Sequence, residues 1–194
     1  FMPGPKYSDP RRLDYDLLNT ILGGSFTSRL NQNLRERNGF TYGARSQFVM
    51  TPTTGYFYAG SDVGSEVTGA AIQEFFNEFN AMRSGDVSEE EARKTRETNR
   101  MDMIQSFQGL GGLISIAQTL EANGLPFGSL GEDLGAIAAS TAADLNGLAP
   151  VALPLDQALL VLVGDKATTL EQIKDLDLPQ PVELTVTGDP AAEK

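Results

Sequence analysis

The chain has 194 residues, enough to bury roughly 70% of its unfolded surface around one core without a disulfide or a structural metal. It contains no Cys, His or Trp, which excludes serine-histidine and cysteine-histidine catalysis and removes the usual zinc ligands. A formal charge of -11 argues against a nucleic-acid partner, because phosphate backbones are bound through clustered Lys and Arg, and no apolar run approaches the ~20 residues of a membrane helix.

Phe1-Met2-Pro3-Gly4-Pro5 reads as the tail of a strand whose earlier part lies upstream. Ser8 or Asp9 then caps a helix with Pro10 in its first turn, where a missing N–H costs nothing, and Leu13, Leu17, Leu18 and Ile21 recur at helical spacing. Gly23-Gly24 stops that helix. A second one is expected over Thr27 to Arg37, burying Leu30 and Leu34 and leaving through Asn38 and a left-handed Gly39. Arg35 follows Leu34 directly and so points away from the buried stripe.

From Phe40 to Met50 the apolar period becomes two, which places Tyr42 on a strand; 51–55 is a turn and Tyr56 to Asp62 a returning strand. Ser65 opens a long amphipathic helix with Val67, Ala71, Phe75, Phe79 and Met82 on one stripe, closed by Gly85. Ser88 and Glu91 form a capping box for a helix reaching about Ser106. Gly109, Gly111 and Gly112 break the next segment without the Lys-Ser/Thr of a phosphate loop. Helices are expected over Leu113 to Ala122, Leu130 to Ala139 and, after a Ser140 or Thr141 cap, Ala142 to Leu148, with Pro150 and Pro154 ending the helical block. The continuous apolar run Ala158 to Val163 suits a strand buried on both faces. Thr168 or Thr169 starts a short helix to about Leu176, and Val182 to Val186 is the last strand candidate. This order predicts an α+β fold, a mainly antiparallel sheet with helices packed on one face.

Leu22-Gly23-Gly24-Ser25-Phe26-Thr27-Ser28-Arg29-Leu30 and Leu34-Arg35-Glu36-Arg37-Asn38-Gly39-Phe40-Thr41-Tyr42-Gly43 together resemble the C-terminal, non-catalytic half of pitrilysin-type zinc metallopeptidases, the group of insulysin and mitochondrial processing peptidase. Gly85-Asp86-Val87-Ser88-Glu89-Glu90-Glu91 and Val161-Leu162-Val163-Gly164-Asp165 continue the likeness in the order such a half requires, so it covers nearly the whole chain.

The resemblance implies a zinc site, His-x-x-Glu-His with a distal Glu, on a homologous half. This chain has no histidine, binds no metal or cofactor of its own on this reading, and is expected to be inactive alone. It implies further that Arg35 and Tyr42, seven residues apart, reach across a clam-shell chamber to a bound peptide. Arg29 either lines that chamber or is a solvated or ion-paired residue, and Gly23, Gly24, Gly39 and Gly43 serve backbone geometry. The expected partners are therefore a zinc-bearing domain or subunit and a peptide substrate, with residues 1–194 forming one non-catalytic half, cut from a longer chain or standing as a subunit. The alternative is a peptidase-derived assembly scaffold without proteolytic activity. Absence of Cys and strong acidity favour export from a bacterium.

Overall fold

The computed structural model describes residues 1–191. Three strands form an antiparallel sheet in the order β1-β3-β2, where β1 is Met2–Pro3, β2 is Ala44–Met50 and β3 is Gly55–Ser61. Alternation drives β2 inward at Ala44, Ser46 and Phe48, and its register sets Phe48 opposite Phe57. Phe57 is fully enclosed, with the Phe48 ring at 4.7 Å and the Phe79 ring edge-on at 6.1 Å between centroids. Tyr15 closes the stack against Phe48 at 5.1 Å.

The helices that cover this inner face are α1 (Arg12–Asn19), α2 (Thr68–Arg83), α3 (Glu89–Ser106), α5 (Ser129–Ala139) and α6 (Ala142–Ala152), with α4 (Leu110–Ala122) joining α3 to α5 and α7 (Lys166–Ile173) beyond them. Leu17, Leu18, Met82, Leu145 and Leu148 supply the aliphatic side of the core. The fold is α+β, with helices on one face of an antiparallel sheet. The capping box of α3 forms in both directions: Ser88 Oγ accepts from Glu91 N–H and Glu91 Oε2 accepts from Ser88 N–H, worth about 1 kcal/mol. Thr141 caps α6 with Asp144 by the same device.

Several local expectations are corrected. The second helix is α-helical only at its start; Asn31–Arg37 winds as a π-helix, marked by Asn38 N–H donating to Asn33 O five residues back (3.0 Å). The end of α1 likewise passes into a π-helical turn, Thr20–Gly24. Strand β2 begins at Ala44, so Phe40 and Tyr42 lie in the connection before it. α6 runs through Pro150 to Ala152, because burial of Ala149, Ala152 and Leu153 outweighs the one lost hydrogen bond so near the helix end. α4 begins at Leu110 and α7 at Lys166, the latter capped by Asp165 instead of a threonine. Ala158–Val163 is extended but is neither a ladder strand nor buried; Val163 is 96% exposed. Val182–Val186 forms only an isolated bridge, Leu184 to Pro190, in an exposed tail. Among the described residues no single helix is long and apolar enough to cross a membrane.

Candidate functional site

The site is built on the path from α1 to β2. Gly23 lets the π-helical turn press against β2: a Cβ there would come within 2.5 Å of Ser46 Oγ and 2.7 Å of Ser46 N. Gly24 is crowded in the same way by Asn19, whose Nδ2 would lie 2.5 Å from its Cβ. Asn19 in turn holds Ser46, whose hydroxyl donates to its Oδ1 (2.7 Å), so the diglycine seats the end of α1 on the sheet.

Buried Asn31 then ties the loop to the strand. Its Nδ2 donates to Ser25 O (3.1 Å) and its Oδ1 accepts from Ala44 N–H (2.9 Å), the first residue of β2. Two residues on, the enclosed Asn33 amide donates to Glu74 Oε2 and Glu78 Oε1 on α2, both at 2.7 Å, and its Oδ1 accepts from Asn38 Nδ2 at 2.6 Å. These amides tie the π-helical segment to the loop before it, to β2 and to α2, and leave their own buried polar atoms paired. Asn31 and Asn33 escaped the sequence reading; the available signal was polar residues flanking Leu30 and Leu34 on a stripe that must be buried.

Arg35 emerges one residue past Leu34, partly exposed. Its guanidinium lies 4.5 Å from the centroid of the exposed Phe26 ring, and its Nε sits 3.3 Å from Glu36 Oε1. Gly39, at φ +65°, turns the chain out of the helix. The connection is fixed next to Tyr42 on both sides: Thr41 Oγ1 accepts from Gly43 N–H (3.0 Å), and Ser61 Oγ donates to Gly43 O (2.9 Å). Tyr42 itself is 99% exposed, so a rigid loop presents a bare phenol to solvent. Gly43 has ordinary φ and room for a side chain, the nearest atom being Asn31 Oδ1 at 3.7 Å.

Of the two roles open to Arg29, the structure shows the ion pair. Arg29 Nη1 donates to Asp86 Oδ1 (2.5 Å), while Nε and Nη2 grip Glu91 Oε1 (2.7 Å) and Oε2 (2.9 Å). Burial pushes the Glu91 carboxyl up, but Arg29 and the Ser88 capping bonds outweigh it and hold the group at about 2. The loop is thereby locked to the start of α3. Between them lies a polar cleft of about 410 Å³, bordered by Thr27, Arg29, Gln32, Arg37 and Lys94.

No group of three or more carboxylates among the described residues is placed to hold a metal ion, and the sequence offers neither His nor Cys.

The sequence profile described as peptidase M16 inactive domain matches residues 1–99. A search of curated proteins returns no match. Among solved structures, the chain is similar to a peptidase M16 inactive domain from Pseudomonas fluorescens (TM-score 0.69, 21% identity, 80% of this chain and 37% of that one). It is also similar to the inactive peptidase domain assigned to a zinc protease from Bordetella parapertussis (0.70, 16%, 80% and 85%) and to a chain in Complex III2 from Candida albicans (0.65, 16%, 77% and 38%). The chain thus spans about a third of the Pseudomonas protein and most of the Bordetella domain.

Proposed function

From the premise that the chain belongs to the peptidase M16 inactive-domain family, we propose that it is the substrate-enclosing, non-catalytic half of a zinc-dependent endopeptidase, with Arg35 and Tyr42 as its contacts to the bound peptide. The observation that carries this reading is the exposure of Tyr42 on a loop held rigid at Thr41 and Gly43, in a chain with no histidine. A site that binds by hydrogen bonds needs donors that are free and already in place.

The chemistry of the two side chains suits a peptide backbone. Arg35 offers fixed N–H donors to a carbonyl, and the Tyr42 hydroxyl donates to a carbonyl or to the oxyanion formed from it. Bond cleavage itself belongs to the homologous half, which must supply the zinc and its bound water. Closure of the two halves encloses the peptide and brings Arg35 and Tyr42 to it.

Reconstitution tests this reading. The isolated chain hydrolyses no peptide, and mixing with its zinc-bearing counterpart restores cleavage. A second reading, an assembly scaffold, draws on the likeness to a chain of Complex III2. It requires that the counterpart also lack His-x-x-Glu-His and that the mixture stay inactive.

A further inference from the structure

The helices cover one face of the sheet, and alternation sends a second set of side chains to the other. Arg45, Gln47 and Val49 of β2 share that open face with Tyr56, Tyr58 and Gly60 of β3, and the register sets Arg45 opposite Gly60 and Gln47 opposite Tyr58. Aromatic rings gather there. Phe1, Tyr56 and Tyr58 lie with their centroids 6.2–6.4 Å apart in every pairing and their planes inclined by 32–40°. The Tyr58 hydroxyl donates to Gln47 Oε1 (3.0 Å), which fixes the ring across the two strands.

Two neighbours on this face have no task within the fold. Gly60 has ordinary φ, and a Cβ placed on it would touch nothing within 4 Å, so neither backbone nor packing requires a glycine inside the strand, where it weakens pairing. Arg45, directly across from it, is exposed, and its guanidinium makes no ion pair or hydrogen bond among the described residues, although the chain carries an excess of acid. A cross-strand pair sets the two positions about 5 Å apart, so the missing side chain leaves a notch with Arg45 on one side and the Tyr58 ring, two residues back along β3, on another.

We infer that this notch is a specificity subsite for a large apolar side chain of a bound peptide, which fills the space at Gly60 and packs on the Tyr58 ring while Arg45 donates to a main-chain carbonyl of the same segment. The inference takes its ligand, a peptide, from the reading of Arg35 and Tyr42 as peptide contacts. The two places adjoin: Tyr42 stands three residues ahead of Arg45, and Ser61, next to Gly60, donates to Gly43 O in the connection that carries Tyr42. Three residues of extended chain span about 10 Å, so one short peptide reaches both. The chemistry selects the occupant. A tyrosine ring accepts an aromatic or aliphatic side chain by offset or edge-on packing, whereas the Arg45 charge opposes a Lys or Arg in the same notch and so removes the cation–π alternative.

The test titrates the chain with the capped peptide Ala-Ala-Phe-Ala-Ala, and with the same peptide carrying Ala or Lys in place of Phe, and follows the NMR shifts of Arg45, Tyr58 and Gly60. Gly60→Val fills the notch at a position with room for it, and an unreduced thermal midpoint shows that the fold is kept. The expected result is binding of the Phe peptide about tenfold or more tighter than the other two, with shifts at these three residues, and loss of that preference in Gly60→Val and in Tyr58→Ala. Equal affinity for the three peptides, or a Phe preference unchanged in Gly60→Val, overturns the proposal. Turnover of the reconstituted peptidase separates this result from the peptidase reading. A Phe preference lost in Gly60→Val, together with turnover undiminished by Arg35→Ala and Tyr42→Phe, supports the subsite and removes the catalytic role, whereas reduced turnover in those variants with no Phe preference overturns the subsite alone.

Discussion

The guanidinium of Arg35 lies 4.5 Å from the centre of the Phe26 ring, so the side chain assigned to a peptide is braced by an aromatic on the loop that precedes its own helix. Phe26 is itself exposed and packs into no core, which leaves support of Arg35 as its visible role. Phe26→Ala should therefore cost stability no more than about 1 kcal/mol, the scale of an exposed cation–π contact. In the reconstituted peptidase it should lower turnover severalfold by loosening Arg35. Thermal melts and steady-state kinetics on the same preparation separate the two effects.

The Arg29–Glu91 pair gives a pH dependence of definite sign. The folded-state group sits at about 2 against an ordinary 4.5, so its contribution is complete above about 4.5 and is lost as the pH falls through about 2. The pair is partly buried, and after screening through its solvent-facing side its worth is of the order of 1 kcal/mol. Urea unfolding from pH 7 to pH 2 should show Glu91→Gln less stable at neutral pH and less sensitive to acid than the unaltered chain.

Two glycines of the same loop should respond oppositely to alanine. At Gly23 the new methyl would meet Ser46 main chain at 2.7 Å, and overpacking of this kind costs typically 1–3 kcal/mol. At Gly43 the nearest atom is 3.7 Å away and φ is ordinary, so Gly43→Ala should change stability by less than about 0.5 kcal/mol. Thermal denaturation of the two single variants checks the contrast.

Asn33→Ala removes an enclosed amide that serves Glu74, Glu78 and Asn38 together. Loss of this buried amide and of its bonds to the half-buried Glu74 and Glu78 should cost about 1–3 kcal/mol, read as a lower denaturation midpoint with an unchanged urea slope.

The parts of this fold visible in the sequence are those written in local chemistry. The Ser88–Glu91 capping box, the alternation through Ala44, Ser46 and Phe48, and the turn after Met50 each depend on residues a few positions apart, and each forms, the turn being one residue shorter because Gly55 already pairs with Met50. The π-helical winding of Asn31–Arg37 was not visible, because Leu30 and Leu34 satisfy an α-helical period equally well and the decision is made by Asn33 and Asn38 through contacts with α2. Alternation continued backward from Ala44 also carried Tyr42 onto the strand. The chain instead bends there, with Thr41 and Ser61 taking up the main-chain groups of Gly43. Ala158–Val163 departs from the expected buried strand for another reason: a continuous apolar run states that it needs neighbours without stating where they are. At the candidate site, the motif names Arg35 and Tyr42 as residues to test, whereas the bracing of Arg35 by Phe26 and the Arg29 clamp on Asp86 and Glu91 arise between residues that only the fold brings together.

The proposed role of Arg35 and Tyr42 is to act on a peptide cleaved by another half. Its most direct measurement is the turnover of the chain reconstituted with its zinc-bearing counterpart, comparing Arg35→Ala and Tyr42→Phe with the unaltered protein. Turnover should be lower by about one to three decades in each variant, the scale of a lost oxyanion donor, with thermal midpoints within a degree or two of the parent. Undiminished turnover in both folded variants would contradict it.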